Sequence, residues 1–324
     1  SVLFGIWRAG AVYVPLNPRS TADEIEHVFD TVAPAAVVTT AEHADRFASV
    51  SVVVADTSGP TDDPLDVREG PLGDLFQRPG DPYGPDVALI QFTSGTTGKP
   101  KPVLLLHDGI LELIDGVLRK LRQGSANASD PAMPKARVVN LIPVSLSVWA
   151  GLYSIVFGMR TGAVIVTMDR FDTRELAQLV KRFEIKSTVL PPAAMAMLSD
   201  DESITDLSPL RFVRSITAPL SPLQARRFDA RFGVWILNCY GQTEVGGEII
   251  GWNAADLRAH PEKLGSIRRA HEGVELRVIG DDGAELGTDE AGELWVRTPA
   301  MSGGYADGGD LSDRLSPDGF FRTG

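Results

Sequence analysis

The residues with the clearest chemical character are nine in a row: Thr93-Ser94-Gly95-Thr96-Thr97-Gly98-Lys99-Pro100-Lys101. Glycine lets a backbone approach a bulky anion and turn its N–H groups toward it. Hydroxyls donate to phosphate oxygens, and lysine supplies compensating charge. The preceding apolar run, Val87–Phe92, reads as a buried strand. The chemistry this points to is a flexible cradle for a triphosphate. The spacing differs from the Gly-x-x-x-x-Gly-Lys-Ser/Thr loop that opens a helix. Lys99 is followed by Pro100, which lacks a donor and disfavours helix at Lys99. A second candidate is Asn238-Cys239-Tyr240-Gly241-Gln242-Thr243-Glu244, which follows the strand-like Val234–Leu237. Binding loops of open α/β sheets lie beyond the carboxyl ends of strands. Read alone, this stretch is equally a turn before a helix capped by Thr243.

Together the two stretches resemble the phosphate loop and the Tyr-Gly-x-Thr-Glu motif of the adenylate-forming superfamily: acyl-CoA synthetases, peptide-synthetase adenylation domains and luciferases. Arg8–Pro18 is similar to an early Ala-Gly-x-x-Tyr-Val-Pro segment, and also reads as a helix end capped at Gly10 before a short strand. Thr217-Ala218-Pro219-Leu220 resembles the Gly-Ala-Pro-Leu segment whose backbone lines the adenine pocket; Ser221 and Pro222 then suit an N-cap and first helical position. Gly292–Val296 is similar to a barrel strand of the family. The resemblance spans essentially the whole chain.

The resemblance implies a two-step ligase. A carboxylate attacks the α-phosphate of ATP, and a thiol of CoA or of a carrier-bound phosphopantetheine then displaces AMP. It also implies that Ser94, Thr96, Thr97 and Lys99 hold the β- and γ-phosphates within the loop that Thr93, Gly95 and Gly98 shape. Asn238, Cys239, Gly241 and Gln242 would frame the nucleotide around Tyr240, which stacks on adenine. Thr243 would bond the α-phosphate and Glu244 would hold Mg²⁺. Thr96, Lys99, Thr243 and Glu244 are the expected catalytic set. Most relatives carry Gly where this chain has Pro102, which leaves a non-catalytic nucleotide-binding domain as a further alternative. His107 stands where the family often has a histidine, and reads from its context as a helix-start or packing residue.

Amino-acid-activating relatives carry an aspartate in a Phe-Asp-x-Ser-Val-Trp stretch, and this chain has Val144-Ser145-Leu146-Ser147-Val148-Trp149. With Ser145 in that place, a buried ammonium would lack its counter-charge. The expected substrate is therefore a fatty, aryl or other non-amino acid. Trp149 reads as a pocket wall or as core. Gly246 and Gly247 either leave room for a long acyl chain or permit a turn.

The elements that must position these residues alternate. Short β-branched runs at Ala36–Thr39, Val52–Ala55, Val103–Leu106, Val138–Ile142, Ala163–Thr167, Ser187–Leu190 and Phe212–Ile216 read as parallel strands covered on both faces. Leu111, Ile114, Val117, Leu118 and Leu121 keep helical spacing, as do Leu176, Leu179, Val180 and Phe183 after Asp172, a predicted N-cap. This alternation predicts an α/β fold of stacked, doubly wound αβαβα sheets. Thr57–Pro85 reads as a linker and Gly124–Pro134 as a polar loop. Beyond about Leu264, strands at Glu275–Ile279 and Glu293–Arg297 around Gly280-Asp281-Asp282-Gly283 predict a small β-barrel-like subdomain. The expected division is 1–85, a first α/β subdomain with linker; 86–263, the ATP- and acyl-binding region; and 264–324.

The chain of 324 residues carries a net charge of −12, which argues against broad binding to nucleic acid or anionic membranes. One cysteine excludes an internal disulfide and fits a reducing, cytoplasmic setting. Five histidines show no zinc spacing, and no run is long enough to span a bilayer. Both ends fall in mid-fold by comparison with the family, so a large-domain fragment is expected, lacking the aspartate after Arg322-Thr323-Gly324 and the small C-terminal domain with its lysine. Such a fragment is expected to turn over poorly alone.

Overall fold

The structure, a computed structural model, describes residues 2–47, 50–56, 66–69, 82–93, 100–123, 138–263, 265–309 and 311–324. These form two compact units. The first comprises Ser1–Leu104 with Tyr305–Gly309, and the second Leu105–Gly304 with Asp310–Gly324.

In the first unit, α1 (Val2–Arg8) stops where Gly10 adopts φ +70°. Gly10 N–H bonds Trp7 O and Ala11 N–H bonds Ile6 O, the paired closure expected of a glycine C-cap. The strand expected next is reduced to a single parallel bridge, Tyr13 to Leu89, because only Tyr13 meets the neighbouring strand. A capping box between Thr21 and Glu24 opens α2 (Ala22–Val32). β1 (Ala36–Thr39) pairs in parallel with β2 (Ser51–Asp56). β3 (Asp66–Glu69) falls inside the segment read as linker, yet it pairs antiparallel with β2. β4 (Val87–Thr93) pairs with β5 (Lys101–Leu106), and Ala88, Leu89 and Ile90 are fully buried.

The second unit holds α3 (His107–Gln123), β6 (Val139–Ile142), α4 (Trp149–Arg160), β7 (Val164–Thr167), α5 (Thr173–Arg182), β8 (Ser187–Leu190), α6 (Pro192–Asp200), β9 (Phe212–Ser215) and α7 (Pro222–Phe232). β10 (Trp235–Gln242), β11 (Gly247–Gly251), α8 (Ala254–Ala259) and β12 (Arg269–Ala270) complete a seven-stranded sheet in the order β12-β11-β10-β9-β8-β6-β7. Strands β7, β6, β8, β9 and the start of β10 run parallel, whereas β11 pairs antiparallel with β10 and β12 antiparallel with β11. Asp172 caps α5 through Arg174 and Glu175 N–H, and Ser221 caps α7 ahead of Pro222. Side chains of α5, α6 and α7 bury one face of the sheet around Leu176, Val180, Met195, Val213 and Phe228. Strand side chains alternate between faces, so Arg214, next to Val213, points to the opposite face. On α3 the buried stripe is Ile110, Leu113, Ile114 and Val117; Leu111, expected in that stripe, is 48% exposed.

β13 (Glu275–Ile279), β14 (Glu293–Arg297) and β15 (Phe321–Arg322) make a separate antiparallel sheet. The Gly280–Gly283 turn closes with Gly283 N–H on Gly280 O, Gly283 at φ +80°. Among the described residues, no helix is long and apolar enough to cross a membrane.

Candidate nucleotide and acyl site

The strand order reverses between β6 and β8: the chain leaves β6 for β7 at the sheet edge, then returns past β6 to β8. Such a switch point opens a crevice at the carboxyl ends of the strands, where ligands of α/β sheets bind. Ser145–Val148 leaves β6 at that point. Ser145 Oγ accepts from Ser147 N–H at 3.2 Å and lies 2.8 Å from Ser147 Oγ, forming a tight turn that exposes Ser145 and sets Trp149 at the start of α4.

The Tyr240 motif is strand rather than a loop beyond one. β10 runs through it to Gln242 because β11 folds back alongside, with a bulge between Tyr240 and Gly241. Gly241 is required there: a Cβ would sit 1.7 Å from the Gly247 carbonyl. Asn238 is buried opposite Ser215, and Cys239 Sγ donates to the Ser215 carbonyl at 2.7 Å. Tyr240 is half-buried, and Gln242 Nε2 donates to its hydroxyl at 3.0 Å and to the Thr323 carbonyl at 3.1 Å. Thr243–Val245 is a single 3-10 turn followed by β11, so Thr243 caps no helix. Glu244 is buried, and its carbonyl accepts from Ser302 N–H at 2.9 Å. Thr217-Ala218-Pro219 leaves the end of β9 beside Asn238, with Thr217 at φ +69°. A β-branched residue in that region carries backbone strain.

The expected phosphate-loop residues Ser94, Gly95, Thr96, Thr97, Gly98 and Lys99 lie outside the described residues. Thr93 ends β4, and Lys101 begins β5 with its Nζ 5.6 Å from the Tyr305 ring centre. At Pro100 the carbonyl accepts from His27 Nε2 at 3.2 Å. Pro102 is buried in β5 and its carbonyl accepts from Ala306 N–H at 2.8 Å. His107 opens α3.

The expected acyl residues Trp149, Gly246 and Gly247 come together. Trp149 is buried and its Nε1 donates to the Gly246 carbonyl at 2.6 Å. Gly246 (φ +87°) faces Ala300, and Gly247 (φ +132°) faces Trp149 and Leu113, so the space over both glycines is already filled. Their local role is close approach of backbone to side chains.

Sequence reasoning missed the charged cluster beside them. Arg214 of β9 and His271 after β12 both bond Glu248 Oε1 on β11, the histidine at 3.0 Å. Burial opposes the charge on Arg214, but the Glu248 carboxylate and its neighbours outweigh it and hold the guanidinium charged. Tyr153, one turn along α4 from Trp149, puts its hydroxyl into this region with no hydrogen-bond partner among the described residues. Burial, reinforced by the Glu248 charge, pushes the Tyr153 phenol far above its ordinary range, so it stays protonated. An arginine in the middle of the otherwise short, buried β9 was the available sequence signal.

These features match known proteins. A family model described as "AMP-binding enzyme" matches residues 1–306. The chain is 30% identical to 4-coumarate–CoA ligase-like 6 of Oryza sativa subsp. japonica, covering 99% of this chain and 55% of that protein. It is 28% identical to phosphinothricin tripeptide synthetase PhsC of Streptomyces viridochromogenes, covering 97% of this chain and 27% of that one. ATP-bound MatB from Rhodopseudomonas palustris superposes with a TM-score of 0.77 at 24% identity, covering all of this chain and 62% of that one. The chain thus spans little more than half the length of the first of these relatives. The fold is that of the large domain of adenylate-forming enzymes, and the chain belongs to the AMP-binding enzyme family.

Proposed function

We propose that the protein activates a non-amino carboxylic acid with ATP and passes the acyl group to the thiol of CoA. A carboxylate oxygen bonds to the α-phosphorus while the bond to the bridging oxygen breaks and pyrophosphate leaves. The thiol sulfur then attacks the acyl carbon, the carbon–oxygen bond to AMP breaks, and the thiol proton is lost. The protein's part in such chemistry is positioning and charge neutralisation. The observation that carries this reading is the Tyr240–Glu244 segment, whose aromatic ring is tied by Gln242 and whose carboxylate is buried at the end of β10.

In this reading Tyr240 stacks on adenine with the backbone of Thr217–Pro219 along its edge. Thr243 bonds the α-phosphate. Ser94, Thr96, Thr97 and Lys99 hold the β- and γ-phosphates. Among the described residues no three metal-binding side chains cluster, so a Mg²⁺ site here rests on Glu244 completed by phosphate oxygens and water. That donor set suits Mg²⁺, which favours one or two carboxylates plus substrate phosphates. When bound, the ion neutralises phosphate charge. Trp149 walls the acyl site, and Ser145 at its mouth offers no counter-charge to an ammonium.

The test is pyrophosphate release by the full-length protein across a panel of carboxylic acids, with and without CoA. Acid-dependent release, with acyl-CoA and AMP formed when CoA is present, supports the proposal. The similarity to a peptide synthetase favours a second reading, transfer to a carrier-bound phosphopantetheine. Release of pyrophosphate without transfer to CoA would select it. Nucleotide binding with no release for any acid would leave a nucleotide-binding domain without catalysis.

A further inference from the structure

We infer that His27 is a positioning residue for triphosphate binding: from α2 it holds both stems of the segment between β4 and β5, through the Phe92 ring and the Pro100 carbonyl. This rests on the ligase reading above, which gives the outer phosphates to Ser94, Thr96, Thr97 and Lys99.

His27, Phe92 and Pro100 all belong to the first compact unit. Phe92 is the last residue but one of β4, and Pro100 immediately precedes β5. The imidazole meets the Phe92 ring edge to face, with centres 5.9 Å apart and planes at 80°. Its Nε2 lies 3.2 Å from the Pro100 carbonyl oxygen, across 73 residues of sequence. A carbonyl can only accept, so Nε2 carries the hydrogen and donates it. The helix that presents this ring is itself fixed. The Thr21–Glu24 capping box secures its start, and Ile25 and Val28 are buried along its inner side. At the same level Thr93 Oγ1 donates to the Lys101 carbonyl at 3.5 Å, tying one stem to the other.

A histidine that served packing alone would need only the ring contact with Phe92, which fits the ordinary geometry of aromatic pairs. The bond to Pro100 adds direction. Proline brings no N–H, and this carbonyl lies just outside β5, so a side chain from elsewhere must satisfy it. The peptide so fixed is the one that joins Pro100 to Lys101, immediately after Lys99 in the sequence. A segment rich in glycine has much conformational freedom to lose when an anion orders it. Stems held in advance reduce that cost at the moment of binding. The benefit falls on a nucleotide with β- and γ-phosphates, and little of it on AMP, which has neither.

The experiment is calorimetric titration of the full-length protein with ATP and with AMP, for wild type, His27→Phe and His27→Gln. Phenylalanine keeps a ring against Phe92 and loses the donor; glutamine loses the ring and keeps a donor. His27→Phe is expected to weaken ATP by about 3- to 10-fold, the span of one net hydrogen bond, while AMP changes by less than about 2-fold. His27→Gln is expected to recover ATP affinity to within about 2-fold of wild type. A purely structural histidine would lower the Tm and move ATP and AMP together. An unchanged ratio of ATP to AMP affinity in His27→Phe overturns the inference, and so does a His27→Gln protein that binds ATP as weakly as His27→Phe. Should His27→Phe not fold, nitrogen-15 NMR of the wild-type histidines tests the bond itself, with the His27 signals assigned by their loss in His27→Gln. A hydrogen on Nε2 is expected, and a ring hydrogen on Nδ1 alone overturns the inference. All these outcomes leave the ligase reading standing. Failure of the wild-type protein to bind ATP overturns that reading and the inference with it.

Discussion

Gln242 Nε2 donates to the Thr323 carbonyl at 3.1 Å, joining segments 81 residues apart, and the same nitrogen holds the Tyr240 hydroxyl at 3.0 Å. One amide therefore orients the candidate adenine platform and anchors Thr323, which also bonds Leu294 of β14. Gln242→Leu should remove both bonds. The expected stability loss is about 1–2 kcal/mol by denaturant unfolding, with ATP affinity reduced several-fold by calorimetry. Unchanged ATP affinity would show that the ring needs no such restraint.

Gly247 has φ +132°, and a Cβ there would lie 2.9 Å from Trp149 Nε1 and 3.0 Å from Leu113 Cδ2. The Trp149 ring is held by its bond to the Gly246 carbonyl, and φ +132° is itself a conformation that L side chains rarely adopt. Gly247→Ala should therefore destabilise by about 1–3 kcal/mol and lower the Tm. A neutral Tm would mean the hairpin relaxes freely at this point.

Thr217 occupies the left-handed region at φ +69°, in the position the family resemblance gives to glycine. That conformation costs an L-residue about 1–2 kcal/mol. Thr217→Gly should relieve it, partly offset by the greater unfolded-state freedom of glycine, so stability should rise by up to about 1 kcal/mol. A drop in Tm would contradict this account of strain beside the adenine site.

Asp201 accepts from Ser203 Oγ at 2.6 Å and from Thr173, which pulls its carboxyl from 3.8 down to about 2. A depressed folded-state pKa stabilises above the unfolded value, and that stability is lost as the pH falls through the folded one. The Tm difference between wild type and Asp201→Asn should be full at pH 5 and above by this linkage, and should shrink across the interval from 3.8 to about 2. A difference that persists below that interval would assign the effect to something other than the carboxylate charge.

Lys99→Ala should weaken ATP by about 10-fold or more while AMP affinity changes little, since a lost charge-assisted phosphate bond amounts to about 1.5–3 kcal/mol. Glu244→Ala should abolish the Mg²⁺ dependence of ATP binding. Titrations with both nucleotides, with and without the ion, read both effects. Equal losses for ATP and AMP in the Lys99 variant would contradict the assignment of that lysine to the outer phosphates.

What the sequence determined by itself is the local order and the family. β-branched runs at Ala36–Thr39 and Ser187–Leu190 are strands with the bounds their composition implies, and Asp172, Ser221 with Pro222, and Gly10 act as the caps their types imply. These are interactions between residues within a few positions of one another, so the information is contiguous. The tertiary structure decided what depends on pairing across the chain. It converted the Tyr240 motif from loop to strand, because β11 returns alongside it, and turned Leu111 outward, because α3 packs through Ile110, Leu113, Ile114 and Val117. It made a strand of Asp66–Glu69 in a stretch whose composition favours linker, because β2 supplies a partner edge. It also assembled Arg214, Glu248 and His271, separated by 34 and 23 residues, into one charged cluster. Nothing in the chemistry of any one of these residues specifies its partner; the register of β9, β10, β11 and β12 does, because it alone sets which side chains share a face.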